Sequence, residues 1–209
     1  MKVFHIDSSV RGDWSVSKDL TRHFVQQLKE KFPDATIDHL DLAEHIPSHP
    51  TPLFIQANYA PADTRSKEMW EALAESNSLV QRMHDANVIV FGVPMHNFSI
   101  PSILKAFIDN IVRINETFAM TVDGIEGLLK DKKVYVISTR GVDFNNPHME
   151  AMDQIKPYLR TVFGFIGMTA VEFIDVSPVQ FADQEARNEA ISKAKQSINV
   201  HISNLNTVG

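Results

Sequence analysis

The chain has 209 residues, 44% hydrophobic and 22% charged, with a formal net charge of −6 and no cysteine. That length suits one α/β domain over a single sizeable core, and an acidic balance without clustered Lys and Arg speaks against nucleic-acid binding. The absence of cysteine excludes disulfides, thiolate metal sites and cysteine nucleophiles, and with them the phosphatases that use a Cys in a phosphate loop.

Lys2–Asp7 is a short apolar run that reads as a buried strand. The polar segment Ser8–Ser15 follows, and then Leu20, Phe24, Leu28 and Phe32 recur every four residues as the stripe of a helix, which Pro33-Asp34 closes. Ala35–Leu42 alternates apolar and polar residues and reads as a second strand. From Ala43 to Asp63 the chain carries Pro47, Pro50, Pro52 and Pro61 and reads as a long irregular stretch, of the sort that serves function or an interface. A second helix is expected from Thr64 to Asp85. Asn87–Val93 is the strongest strand, because Val88-Ile89-Val90-Phe91 is continuously apolar, as in a parallel strand covered on both faces.

The loop Pro94–Pro101 leads into a third helix bearing Ile103, Leu104, Phe107, Ile108, Ile111 and Val112. Thr117–Leu128 reads as a hairpin turning at Asp123-Gly124. Val134–Ser138 is the fourth main strand, followed by one helix over roughly Met149–Phe163 with Pro157 inside it. Val171–Val176 is the fifth, and Asp183 to about Leu205 the last helix.

This alternation predicts an α/β fold: a doubly wound five-stranded parallel sheet with helices on both faces, forming a single domain over residues 1–209. The first residues lack the apolar stretch of a signal peptide, and Val88–Pro94 is too short to cross a bilayer, so a cytoplasmic protein without membrane association is expected. In a sheet of strand order 2-1-3-4-5 the chain reverses direction between strands one and three, and ligands collect there at the carboxyl ends. Ser8–Ser15 and Pro94–Pro101 are the loops at that point, with Thr139–Phe144 beside them.

The first loop offers the hydroxyls of Ser8, Ser9, Ser15 and Ser17 at the start of a helix, where free N–H groups and the helix dipole favour a phosphate. Taken alone, the segment reads as a helix merely capped by Ser15 before it reads as a phosphate site. Neither GxGxxG nor GxxxxGK[ST] is present, so a dinucleotide fingerprint and a P-loop are unsupported. In the second loop, Met95 and Phe98 supply apolar surface and Asn97 an amide, a combination suited to a flat ring with a polar edge. No metal site is expected. His45 and His49 sit four apart near Asp41, but Pro47 between them spoils a helical presentation and a metal needs a fuller ligand set. A lone loop histidine such as His96 reads as structural or solvated before it reads as an acid or base.

Taken together, Ser8-Ser9, Ser15-Val16-Ser17, Pro94-Met95-His96-Asn97-Phe98-Ser99-Ile100-Pro101, Ser138-Thr139-Arg140-Gly141 and Gly164-Phe165-Ile166-Gly167 resemble the FMN-dependent NADH:azoreductase family, also described as NADH:quinone oxidoreductases. The resemblance implies a flavodoxin-like fold and bound FMN. It places the phosphate at Ser9, Ser15, Val16 and Ser17, the flavin ring at Met95, His96, Asn97 and Phe98, and a third contact at Thr139, Arg140, Gly141 and Val142. It implies a homodimer whose proline-rich arm and hairpin help form the partner's substrate pocket. It also implies ping-pong transfer of two electrons from NADH or NADPH to quinones or azo compounds, with the chemistry carried by FMN and not by a catalytic side chain. The chain departs from the family at His96, where Tyr is common, at Val142, where a second Gly is common, and around Phe118-Ala119-Met120. A flavodoxin-type electron carrier and a flavin-binding module without NAD(P)H turnover are the competing readings; a carrier is expected to be shorter and more acidic.

Overall fold

The computed structural model describes residues 1–144 and 146–206. Five strands, β1 (Lys2–Asp7), β2 (Thr36–Asp41), β3 (Val88–Pro94), β6 (Lys133–Thr139) and β7 (Ala170–Val176), form one parallel sheet in the order β2-β1-β3-β6-β7. Counted along the main sheet alone this is the predicted order 2-1-3-4-5. The expected hairpin intervenes as β4 (Phe118–Thr121) and β5 (Gly124–Gly127), a separate antiparallel pair.

Alternate residues of each strand feed two cores. Val3, Val88, Val90, Tyr135 and Ile137 meet α1 (Val16–Lys31) and α7 (Gln184–Asn204) through Leu20, Phe24, Leu28, Ala194 and Ile198. Phe4, Ile89, Phe91, Val134 and Val136 meet α3 (Lys67–Asp85), α4 (Ser102–Ile111) and α6 (Ile155–Phe165). A central strand buried on both faces has no polar alternation to show, which is why β3 reads as one apolar run.

Two segments differ from expectation. The proline-rich stretch contains a helix, α2 (Pro52–Tyr59), because Pro52 occupies its first turn, where no N–H is needed, and Thr51 Oγ1 accepts the Phe54 N–H at 3.1 Å. Phe54 and Ala57 then pack on Leu73 of α3. The helix expected over 149–163 is two, α5 (Pro147–Met152) and α6. Asp153 Oδ1 accepts the Ile155 N–H at 2.9 Å and restarts the chain, which puts Pro157 in the tolerated first turn of α6.

Arg113, fully buried just after α4, ties these pieces together. Its Nε donates to Asn58 Oδ1 of α2 at 2.9 Å, and its Nη1 to Ser76 Oγ and Asn77 Oδ1 of α3 at 3.0 and 2.6 Å. Its backbone N–H and carbonyl bond Thr117, which opens the hairpin. The hairpin docks where two glycines meet: a Cβ on Gly127 would lie 2.1 Å from the Gly167 nitrogen.

Candidate functional site

The carboxyl ends of β1, β3 and β6 lie side by side, and hydrogen bonds lock their loops together. Ser8 donates to the Gly92 carbonyl with both its N–H (3.0 Å) and its hydroxyl (2.7 Å), and the Met95 N–H donates to the Thr139 carbonyl at 2.8 Å. The loop after β7, which begins with a cis Ser177-Pro178 bond, returns to the third segment: Val179 donates to the Arg140 carbonyl and Phe181 to that of Gly141.

In the first loop a short 3-10 turn over Gly12–Trp14 leads into α1. Ser9, Ser15 and Ser17 are all buried. Ser15 is a cap in fact: its hydroxyl accepts the Lys18 N–H at 3.2 Å and its carbonyl the Asp19 N–H. That leaves the Val16 and Ser17 N–H groups, among the described residues, without an acceptor, and the Ser17 hydroxyl with only the Ser15 hydroxyl, 3.1 Å away. Buried donors gathered at a helix start suit a phosphate dianion. Arg11 instead reaches across to Gln180 Oε1 at 2.8 Å.

Beneath this loop lies Asp7, whose Oδ1 accepts from Thr21 Oγ1 at 2.8 Å. A Cβ on Gly92 would come 2.6 Å from that same oxygen, so the neighbouring strand needs a glycine here. Burial pushes the Asp7 carboxyl up, but the hydrogen bonds from His39 and Thr21 and the nearness of the flanking His5 together more than reverse this and hold it well below the usual carboxylate range.

In the second loop His96 and Ser99 exchange N–H···O bonds of 2.9 and 3.0 Å around Asn97 (φ 47°) and Phe98 (φ 68°). This is a tight turn of the type I′ class, with two left-handed residues and no glycine. A phenylalanine held at positive φ is strained, and such strain collects at functional sites. The turn exposes both residues, and their N–H groups have no acceptor among the described residues. Met95 and His96 beside them are half-buried.

The third segment behaves differently. Thr139 is buried, and Gly141 packs so that a Cβ there would meet the Phe181 ring at 3.1 Å. Val142 is half-buried. Arg140 is turned inward: its Nε donates to Asp153 Oδ2 at 2.6 Å, its Nη1 lies 2.9 Å from Asp175 Oδ1, and its backbone N–H is bonded to the Val176 carbonyl. Its Nε, Nη1 and backbone N–H are bonded within the chain and its Nη2 is ion-paired with Asp153, so it positions the segment.

Asp175 also pairs with Lys156 and accepts from Ser138 Oγ at 2.7 Å. Burial pushes its carboxyl up, and Arg140, Lys156 and Ser138 together bring it below its ordinary 3.8. A depressed carboxylate contributes stability that is present above its unfolded pKa and is lost as pH falls through the folded one. Asp175→Asn is therefore expected to melt below the parent chain at neutral pH, with the gap closing below about pH 3.8. Thermal melts from pH 7 to pH 3 check this; a gap independent of pH refutes it.

Residues 1–202 match the family described as flavodoxin-like fold. Over 198 residues the chain is 41% identical to the FMN-dependent NADH:quinone oxidoreductase 1 of Trichormus variabilis, covering 95% of this chain and 94% of that protein. Over 200 residues it is 40% identical to the FMN-dependent NADH:quinone oxidoreductase of Nostoc punctiforme, covering 95% and 96%. The chain belongs to the FMN-dependent NADH:quinone oxidoreductase family. A crystal structure of an FMN-dependent NADH-azoreductase from Bacillus anthracis in complex with FMN superposes with a TM-score of 0.86 at 25% identity, covering 97% of this chain and 98% of that one. A second azoreductase structure from that species (TM-score 0.87, 24% identity, 98% and 100% covered) shares the fold.

For a member of this family, the sequence reading placed the three segments on adjacent strand ends, and the structure brings them there. It missed the loop after β7, whose Gln180 and Phe181 pin the first and third segments. It also missed His5 and His39 beside Asp7. The signal for these was His5-Ile6-Asp7, two polar side chains on one face of a buried strand; their partner on β2 is set by register.

Proposed function

We propose that this protein binds FMN in the crevice above β1, β3 and β6. As an oxidoreductase of the cytoplasm, it then carries two electrons from NADH or NADPH to quinones and azo compounds, donor and acceptor using one pocket in turn. The observation that carries the reading is the left-handed Asn97–Phe98 turn, whose two N–H groups have no acceptor among the described residues, at the end of the strand paired with the one that leads into the buried serine hydroxyls. These features fit FMN: a single phosphate for Ser9, Ser15, Val16 and Ser17, and a ring with a polar edge for Met95, His96, Asn97 and Phe98. Thr139, Arg140, Gly141 and Val142 form the wall beside it, with Arg140 acting through its ion pairs. When bound, FMN supplies the redox chemistry. The chain's part is to bind, orient and polarise: N–H donors at Asn97 and Phe98, fixed by the turn, would meet negative charge on a ring edge with little reorganisation.

We extend the reading to a homodimer. It is supported by the apolar side chains that α2 and the hairpin leave outside, among them Tyr59 (67% exposed), Met120 (63%) and Ile125 (55%). Light scattering should return twice 23.6 kDa; a monomeric mass would remove the dimer and leave the single-chain site standing.

The test uses FMN-loaded protein without oxygen. Adding NADH should bleach the flavin bands, a quinone should restore them, and double-reciprocal plots should run parallel. Intersecting plots would overturn the shared pocket. A bound flavin that no nicotinamide reduces would overturn the enzyme reading in favour of a carrier.

A further inference from the structure

We propose that His5, Asp7 and His39 form a binding site for a divalent transition-metal ion of the zinc class, behind the first loop, with one coordination position open to the cavity beside α1. The sheet assembles the group: parallel pairing sets His5 of β1 beside His39 of β2, and their rings stack at 4.3 Å on the face that α1 covers. Asp7, two residues on, faces the same way. His5 Nε2 and His39 Nε2 each lie 3.1 Å from the same oxygen, Asp7 Oδ2, and one ligand atom from each residue falls within 4.8 Å of the others.

The chemistry of this arrangement is unbalanced without a cation. The His39 ring bonds to Asp7 Oδ2, but His5 is 6% exposed and its Nε2, 3.1 Å from that oxygen yet off the line of a hydrogen bond, has no hydrogen-bond partner among the described residues. An orphaned buried nitrogen carries a desolvation penalty. A metal ion removes it, since all three atoms can then point their lone pairs at one centre. The spacing fits: zinc bonds to histidine and carboxylate of about 2.0–2.2 Å in a tetrahedron put ligand atoms about 3.3 Å apart. Two imidazoles and a carboxylate suit zinc, nickel or copper better than magnesium or calcium.

A supporting shell is also present. Thr21 Oγ1 holds Asp7 Oδ1 and so turns Oδ2 toward the two histidines, the role of outer partners in metal sites. Gly92 leaves room for that carboxylate. The adjoining cavity, about 420 Å³, is lined by Asp13, Asp41 and Glu44 as well as Lys18 and Arg22. Both cations are paired, Lys18 with Asp41 and Arg22 with Asp19 at 3.0 Å, so the approach to the open position is not governed by free positive charge. Asp7 leads directly into Ser8-Ser9, and Thr21 lies one turn beyond Ser17.

The experiment takes untagged, FMN-loaded protein, strips it with a chelator, dialyses it against Zn2+ and counts zinc per chain by atomic emission, with Co2+ as a spectroscopic probe. One zinc per chain and a visible tetrahedral cobalt band are expected. His39→Ala, at a half-exposed position, should weaken zinc binding on the order of 100-fold, and Thr21→Val on the order of 10-fold, the size seen for outer partners. The flavin spectrum should stay unchanged in both. His45→Ala and His49→Ala should bind zinc like the parent. If the parent retains no zinc and gives no cobalt band, the trio is a buried ion-pair network and the proposal fails. It fails equally if binding survives in folded His39→Ala or disappears with His45 or His49. Should His39→Ala not fold, the cobalt spectrum of the parent decides alone.

Discussion

Arg113→Ala is expected to lower the stability of the chain by roughly 3–5 kcal/mol. The substitution empties a fully buried space and strips the amide oxygens of Asn58 and Asn77 of their donor. Each such oxygen left unpaired costs about 1–3 kcal/mol, and the cavity adds to that. Ser76 suffers less, because its hydroxyl still donates to the Asn110 carbonyl at 2.5 Å. At about 2–4 °C per kcal/mol for a chain of this size, the midpoint should drop by roughly 6–20 °C. Arg113→Lys keeps a charge but not the planar fork that spans α2 and α3, so it should fall between the two. Burial pushes the Arg113 guanidinium below its ordinary value. Calorimetry on the three proteins measures this; a loss below about 1 kcal/mol for alanine would show that α2 and the hairpin are held by apolar contact alone.

Ser17→Ala is expected to weaken FMN binding about 10- to 100-fold, the equivalent of 1.5–3 kcal/mol for a hydrogen bond to a charged group. Ser17 is 1% exposed, and among the described residues its hydroxyl bonds only that of Ser15, so the folded chain should melt as before. Ser15→Ala separates the roles. It removes a phosphate donor and also the cap on Lys18, so it should lose affinity and about 1 kcal/mol of stability together. Titration of FMN, followed by its fluorescence, distinguishes the two. Unchanged affinity in Ser17→Ala would sink the phosphate assignment and leave the α1 terminus as a plain capped helix.

The sequence by itself determined the order of the strands and of the helices α1, α3, α4 and α7 between them, the hairpin at Asp123-Gly124 and the two loops that meet at the reversal of the sheet. Each is encoded over a few residues: an apolar run, a stripe every four residues, a glycine in a turn, a serine ahead of a helix. Local rules failed where a breaker had a permitted place. Pro52 and Pro157 both sit in first turns, and only packing of Phe54 on Leu73 and the Asp153 cap show that those turns exist. The tertiary structure alone decided that Arg140 faces inward to Asp153 and Asp175, that Arg113 joins three elements, and that His39 arrives beside His5 and Asp7. The physical reason is the same in each case. A side chain's partners across a parallel sheet are set by register and by crossovers tens of residues long, and no short pattern in the sequence records which residue stands on the neighbouring strand.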